Sequence, residues 1–239
     1  MKVRSSGGVA ASLVGVGAVA AARSPAVVAI GPLRRRLMPG LAGVGTGAHV
    51  ALTFDDGPDP ASTPAFLDLL ARRDRRATFF VLGAQAQAAP SLLRRMVEEG
   101  HEVAVHGWRH RCTAATPPGR LVAELRAARE VVEEATGRRT WWYRPPYGVL
   151  TAEAVLACRG LGLTPVLWTA WGRDWERSAT PDRIVSTVLR TLRPGGTILL
   201  HDTDLHGRGD WRHALEATAR LLTGPLAGSD VGPLRDHWA

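Results

Sequence analysis

Two aspartates and two histidines in this sequence have the residue types and spacing of a metal-binding site. Asp55 and Asp56 follow an apolar segment and precede Gly-Pro, so they stand on a tight turn. Burying two adjacent carboxylates is costly unless a cation or an arginine compensates their charge. His106 and His110 are four residues apart, a spacing that can bring two imidazoles to one metal ion. Two histidines and one aspartate leave an open position for water, which is typical of catalytic zinc.

Two further polar residues end apolar runs. Arg144 precedes two prolines, which fix the backbone, and an arginine there can bind a carboxylate through two parallel hydrogen bonds. His201 ends the run Thr-Ile-Leu-Leu and titrates near neutrality. Cys112, two residues after His110, is a candidate soft metal ligand.

Each of these patterns also has an ordinary structural explanation. An Asp-Gly sequence is a common solvated turn, and histidines four residues apart can belong to a loop without a ligand. Arg144 can be a surface residue beside a proline-rich loop, and His201 can be a buried or solvated loop histidine. The individual patterns therefore leave both explanations open.

The elements that must position these residues are short apolar runs that alternate with amphipathic segments. Runs of continuous apolar character are typical of strands buried on both faces of a parallel sheet. The strand candidates are residues 49–54, 77–82, 102–106, 141–144, 165–170 and 197–201. Thr-Pro pairs beginning at Thr63, Thr116 and Thr180 predict capped helix starts, and Gly100, Gly137 and Gly195 predict helix ends.

Strands that alternate with helices predict an α/β fold. The polar residues collect just past the predicted strand ends, which is the arrangement of active sites in β/α barrels. A glycine-rich phosphate loop after the first strand is lacking, which argues against a dinucleotide-binding sheet. We therefore expect an irregular (β/α) barrel with about seven parallel strands.

The composition says more about the location and partners of the protein than about its reaction. The net charge of +8 suits an anionic neighbourhood, which includes nucleic acid, a membrane surface or an acidic cell wall, but the sequence has no nucleic-acid-binding motif. Residues 1–46 form an apolar and basic leader that resembles a secretory signal or a membrane-associated segment, and residues 47–239 form the predicted catalytic domain. We expect export or association with the cell envelope, with a cytoplasmic location as the alternative, and a monomer.

Taken together and in order, the motifs resemble those of the polysaccharide deacetylases, the NodB-homology family of carbohydrate esterases. The resemblance covers about residues 49–205. Its five motifs stand at residues 53–58 (Thr-Phe-Asp-Asp-Gly-Pro), 106–110 (His-Gly-Trp-Arg-His), 144–147 (Arg-Pro-Pro-Tyr), 174–175 (Asp-Trp) and 199–201 (Leu-Leu-His). Gly107 stands where the family usually has a serine or threonine, whose hydroxyl braces the loop between the two histidines.

The resemblance implies a role for each matching residue at the metal. Asp56, His106 and His110 would bind one divalent ion, zinc before cobalt or another metal. Asp55 would be the general base that acts on water, and Arg144 would keep Asp55 ionised. The remaining roles concern the substrate. The Tyr147 backbone N–H would stabilise the oxyanion.

The resemblance also implies the proton donor and the binding pocket. His201 would be the general acid, with its pKa tuned by Asp174. Trp175 and Leu199 would line the pocket for the acetyl methyl group, next to Tyr147. The expected reaction is N-deacetylation of N-acetylglucosamine-type units in peptidoglycan, chitooligosaccharide or a related glycan. Two alternatives are a hydrolase of a small amide, formamide or imide with the same fold, and a catalytically inactive glycan-binding protein.

Overall fold

The computed structural model describes residues 31–238. Most of the predicted leader, residues 1–30, lies outside this range, so the leader and the domain boundary at residue 46 stay predictions. Within residues 31–238, no helix has the length and apolar character that crossing a membrane requires. Residues 38–46 contact the barrel, because Leu41 and Gly43 accept hydrogen bonds from Leu167 and Thr197.

The core of the fold is one parallel sheet with helices on its outer face. Its strands are β1 (Val50–Asp55), β2 (Thr78–Val81), β3 (Glu102–Val105), β4 (Trp142–Tyr143), β5 (Thr164–Pro165), β6 (Ala170–Trp171), β7 (Thr197–His201) and β8 (Val231–Gly232). Seven strands form the order β5-β4-β3-β2-β1-β7-β6, and β8 pairs with the start of β1.

The sheet curls because its two edge strands are neighbours in the chain. β5 and β6 lie at opposite ends of the strand order, yet only residues 166–169 separate them. A chain spans at most about 3.5 Å per residue, so this connection forces the two edges to within roughly 20 Å. The prediction of an irregular β/α barrel of about seven parallel strands is confirmed. The prediction of one strand over residues 165–170 is wrong, since this segment forms the ends of two strands and the link between them.

The alternation of side chains between the two faces of β1 explains why the Asp55 carboxylate lies inside the barrel. Val50, Leu52 and Phe54 pack in the large apolar cluster that the outer helices cover, whereas Ala51 packs in a small interior cluster with Phe80. Successive side chains of a strand point to opposite faces, so Asp55 shares the interior face with Ala51. The strand pattern therefore directs the first carboxylate into the barrel and leaves Asp56 on the turn beyond it.

Eight α-helices are described in residues 31–238. They are α1 (Gly31–Leu37), α2 (Thr63–Arg72), α3 (Gly83–Ala88), α4 (Pro90–Glu98), α5 (Pro118–Thr136), α6 (Ala152–Leu161), α7 (Pro181–Thr191) and α8 (Trp211–Thr223). Thr180 caps α7 as predicted, and Gly137 ends α5 with a left-handed backbone. The capping predictions for Thr63 and Thr116 are wrong: Thr63 is the first residue of α2, and Thr116 donates to the Cys112 carbonyl.

The C-terminal segment closes the end of the barrel opposite the predicted site. The Leu234 and Arg235 backbone N–H groups donate to Thr78 and to Glu102, at the starts of β2 and β3. Trp142 also donates to the buried Glu102 carboxylate, at 2.9 Å. The sequence offered no interpretation of this tail, and in the structure it supplies both β8 and this plug.

Candidate active site

The structure brings the predicted polar residues together at the carboxyl ends of neighbouring strands. Asp55 ends β1, His201 ends β7, and His106 and Arg144 directly follow β3 and β4. In register, Asp55 lies opposite His201 on the central strand pair. Parallel strands present their carboxyl ends at one edge, so Asp55, His106 and His201 line one pocket of about 230 Å³.

Asp56, His106 and His110 form a donor set suited to one metal ion. The Asp56 Oδ1 atom lies 3.3 Å from His106 Nε2 and 3.4 Å from His110 Nε2. Ligands about 2.0–2.1 Å from a tetrahedral zinc ion lie roughly 3.3 Å apart. Among the described residues, this is the group of three or more candidate ligands whose donor atoms lie together, and Cys112 is not part of it. The protein thus offers three donor atoms, one carboxylate oxygen and two imidazole nitrogens.

The surroundings of these donors also fit a cation. Asp56 Oδ1 is buried and accepts no hydrogen bond within residues 31–238. His106 Nδ1 lies 2.8 Å from the Arg144 carbonyl, an acceptor that would fix the ring with Nε2 facing Asp56. Burial raises the pKa of Asp56, but the nearby histidines outweigh this and hold that pKa well below its usual range. Burial lowers the pKa of His110 to about 4, which keeps the imidazole neutral and able to bind a metal.

Asp55 is held by Arg144 inside the barrel. The fully buried Arg144 Nη1 donates to Asp55 Oδ1 and to Thr53 Oγ1, both at 2.7 Å, and Nη2 donates to the Leu167 carbonyl at 3.1 Å. The guanidinium also lies over the Phe80 ring, 4.0 Å from its centroid. The second oxygen, Asp55 Oδ2, lies 3.9 Å from His106 Nε2, so the carboxylate faces the donor set.

His201 and Asp174 form a second pair on the other side of Asp56. His201 Nδ1 lies 3.0 Å from Asp174 Oδ1, and the His201 backbone N–H donates to Asp174 Oδ2 at 2.7 Å. His201 Nε2 lies 3.9 Å from Asp56 Oδ2. Burial lowers the pKa of His201, but the Asp174 carboxylate, helped by Asp56 and Asp55, outweighs it and raises the pKa to about 10. This imidazole therefore carries a proton at neutral pH.

Three site residues have a left-handed backbone. The φ angles are 80° at Asp56, 61° at Tyr147 and 103° at Gly107. Such conformations are uncommon for residues other than glycine and concentrate at functional sites. At Gly107 the positive φ is one that glycine adopts without strain. The Gly107 carbonyl also accepts the Gly83 N–H at 2.8 Å, which ties this loop to the start of α3.

The pocket wall is more aromatic than the sequence interpretation allowed. Trp175, Leu199 and Tyr147 line the pocket, and Trp168 and Trp171 line it as well. Trp168 belongs to residues 166–169, the segment wrongly assigned to a strand, which is why it was missed. Two other tryptophans lie elsewhere. Trp142 packs against Trp238 at the closed end, and Trp108 packs against the apolar cluster around α5 and α6.

Two polar residues near the site were missed by the sequence interpretation. His206 stacks on His110 with ring centroids 4.9 Å apart and lines the pocket. Asp202 is buried beneath the turn at Asp56 and Gly57, where Thr63 donates to it and where a Cβ on Gly57 would overlap its carboxylate. The only signal for both was their closeness to His201 in sequence. Cys158, by contrast, is buried, and burial raises its pKa to about 12.

The chain is similar to several known proteins. The family model described as polysaccharide deacetylase matches residues 43–166, about half of the chain. The chain belongs to the polysaccharide deacetylase family. The family resemblance predicted from the five motifs is thereby confirmed.

Similar members of the polysaccharide deacetylase family have names that describe glycan deacetylation. A chitooligosaccharide deacetylase of Bradyrhizobium sp. (strain ANU 289) is 42% identical over 73% of this chain and 78% of that protein. A peptidoglycan-N-acetylglucosamine deacetylase of Bacillus cereus is 32% identical over 72% of this chain and 79% of that protein. The structure of a family 4 carbohydrate esterase from Streptomyces lividans superposes with a TM-score of 0.69 and 33% identity, covering 79% of this chain and 92% of that one.

Proposed function

We propose that this protein hydrolyses the acetamide group of N-acetylglucosamine-type units in a glycan, with a divalent metal ion held by Asp56, His106 and His110. The observation that carries the proposal is that two charged pairs flank this donor set from opposite sides. One pair is Asp55 with Arg144, and the other is His201 with Asp174. The named relatives that deacetylate chitooligosaccharide and peptidoglycan support the same reaction.

The three donors and the two pairs would divide the chemistry. A bound divalent ion would polarise the acetyl carbonyl and lower the pKa of water, and zinc suits a nitrogen and oxygen donor set. Asp55 accepts the proton of the attacking water, and Arg144 orients this carboxylate through the hydrogen bond from Nη1. His201 donates a proton to the departing nitrogen, so acetate and a free amine are released. The Tyr147 backbone N–H would stabilise the charge that develops on the carbonyl oxygen.

The shape of the site favours a polymer over a small amide. The pocket of about 230 Å³ adjoins an open groove of about 740 Å³, and Trp175 and His206 line both. A small substrate would be favoured by a pocket capped by loops. An open groove beside the pocket leaves room for the sugar units that precede or follow the deacetylated one. Trp175 is partly exposed at this junction and can pack on a sugar face.

Acetate release tests the proposal. The protein is stripped of metal, then supplied with zinc or cobalt, and incubated with N-acetylchitooligosaccharides or with peptidoglycan. Metal-dependent release is expected from at least one glycan, and none from the Asp55→Asn variant, although that variant still binds metal. Asp204→Asn is the matched control, because it removes an exposed carboxylate from a nearby loop. No release from either glycan by protein that holds zinc would overturn the proposal in favour of a small amide.

A further inference from the structure

The open groove beside the active site is built from two loops that are tied together. Residues after β6 contribute one side and residues after β7 the other. The Arg208 backbone N–H donates to the Trp175 carbonyl at 2.9 Å. Gly207 packs so closely that an added Cβ would lie 3.0 Å from the Cβ of Trp175. These contacts fix the two sides relative to each other. The lining residues are Trp175, Glu176, Arg177, Ser178, His206, Gly207 and Arg208.

The groove carries two cations without partners. The Arg177 and Arg208 side chains are exposed, and within residues 31–238 neither guanidinium makes a hydrogen bond or an ion pair. The acid of the groove, Glu176, is already paired, with Arg173 at 2.5 Å and with Arg183 at 3.6 Å. The groove therefore offers two free guanidinium groups and a neutralised carboxylate to whatever occupies it.

We propose that this groove is a subsite for a glycan unit beside the deacetylated one, and that Arg177 and Arg208 bind a carboxylate carried by that unit. The inference rests on the proposed function, because it assumes that a sugar occupies the adjoining pocket. The planar guanidinium matches a carboxylate through two parallel N–H donors, a geometry that neutral sugar hydroxyls do not reproduce. The substrate class that fits is a glycan in which N-acetylglucosamine neighbours an acidic sugar, rather than a neutral chitooligosaccharide.

In peptidoglycan such a carboxylate has two sources. One is the lactyl group of N-acetylmuramic acid after the stem peptide has been removed, and the other is the stem peptide itself. Exposed charge pairs contribute modestly and are screened by salt. Each arginine is therefore expected to change the Michaelis constant by about threefold, and the two together by about tenfold.

The test compares three substrates in the zinc-loaded protein. They are chitotetraose, glycan strands with free lactyl carboxylates, and intact strands that carry stem peptides. The double variant Arg177→Gln, Arg208→Gln should raise KM for an acidic strand about tenfold at low salt, with kcat changed less than twofold. KM for chitotetraose should stay the same, and the difference between substrates should vanish in about 0.5 M salt. If KM rises only for the intact strands, the carboxylate belongs to the stem peptide. If KM rises for the strands with free lactyl carboxylates, it belongs to the lactyl group.

A matched double variant, Arg138→Gln with Arg159→Gln, controls for net charge. Both residues are exposed and follow or end α5 and α6, at the opposite end of the barrel from the groove. The proposal is overturned if the groove variant leaves KM for both acidic strands unchanged, or if the control variant or chitotetraose shows the same change. Fluorescence anisotropy of labelled strands measures binding without turnover. A wild-type protein that binds acidic strands through these arginines but releases no acetate would refute the proposed reaction and keep the subsite.

Discussion

Replacing Asp174 with asparagine tests the assignment of His201 as the proton donor. The Asp174 carboxylate accepts from the His201 backbone N–H at 2.7 Å and lies 3.0 Å from Nδ1 of the same residue. Asparagine keeps the size of the side chain but carries no charge. It also offers one oxygen where two acceptors are needed, so its amide NH2 would face either the ring N–H or the backbone N–H. The change therefore removes the charge and disturbs the orientation of the imidazole.

The expected shift follows from the contacts. Burial lowers the pKa of His201, and Asp174 is the largest of the charges that raise it, to about 10 from 6.5. An opposite charge at this distance shifts a pKa by about 1–3 units, which is about 1.4–4 kcal/mol. The pKa in Asp174→Asn should therefore fall to between about 7 and 9. At pH 8 about 99% of the His201 imidazole is protonated in the parent. A shift of about 2 units or more would lower that fraction to roughly half or less.

The same shift has a consequence for stability. A histidine whose pKa is raised in the folded state stabilises that state fully below the unfolded pKa of 6.5, and this contribution is lost as the pH rises through about 10. Asp174→Asn should therefore lose stability most at and below neutral pH, and the two proteins should converge at high pH.

Nuclear magnetic resonance titration of the His201 imidazole in metal-free protein measures the pKa directly. The pH profile of acetate release by zinc-loaded protein measures how this pKa affects the reaction. The descending limb of that profile should move to lower pH by about 1–3 units in Asp174→Asn. Asp204→Asn is the control, since it removes a charge from an exposed position three residues beyond His201. An unchanged His201 midpoint in Asp174→Asn, or an equal shift in the control, would refute the reasoning.

Four further variants test the rest of the site. His110→Ala should weaken zinc binding at least about tenfold in competition with a chromophoric chelator, because it removes one of three donors, whereas Asp55→Asn should bind zinc normally and lose at least about 100-fold in kcat. Arg144→Met should lower the free energy of unfolding in urea by about 3–5 kcal/mol, because it leaves Asp55 buried without a partner. Burial raises the pKa of Asp202 to about 7, so the folded state disfavours the charged form of this side chain. The free energy of unfolding of the parent should therefore fall as the pH rises from about 4 to 8. Relative to Asp202→Asn, the fall should reach up to about 4 kcal/mol.

Three of these expectations have a specific result that would count against them. Zinc affinity that is unchanged in His110→Ala would remove that histidine from the ligand set. Urea unfolding of Arg144→Met at the parent midpoint would mean that the buried pair adds nothing to stability. Parallel pH profiles of stability for Asp202→Asn and the parent would show that this carboxylate titrates alike in the folded and unfolded chain.

The sequence predicted which polar residues would lie close together, because these residues end apolar runs. Asp55, His106, Arg144 and His201 each terminate a segment that reads as a buried strand, and parallel strands present such ends at one edge. The pairing of Asp55 with Arg144 came only from the family resemblance. Its physical cause is the alternation of β1, which points Asp55 into the barrel.

Contacts between distant segments were harder to predict. The C-terminal plug depends on Glu102, a buried acid that accepts hydrogen bonds from Thr78, Trp142 and the Arg235 backbone N–H. Burial raises the pKa of Glu102, and these donors make its burial tolerable. Nothing in the local pattern around Glu102 or in the apolar tail indicates the partner of either, because the two lie more than 120 residues apart.

The one strand prediction that failed falls at the wall of the active site. Residues 165–170 have the apolar character of a strand, but pairing along their whole length would lay them flat at one edge of the sheet. In the structure the link between β5 and β6 leaves the sheet, which exposes the Leu167 carbonyl to Arg144 and places Trp168 in the pocket. The link between β5 and β6 thus supplies the Leu167 carbonyl as an acceptor for Arg144, the residue that holds Asp55. Local pattern and tertiary structure disagree where the chain gives up regular pairing to build a site.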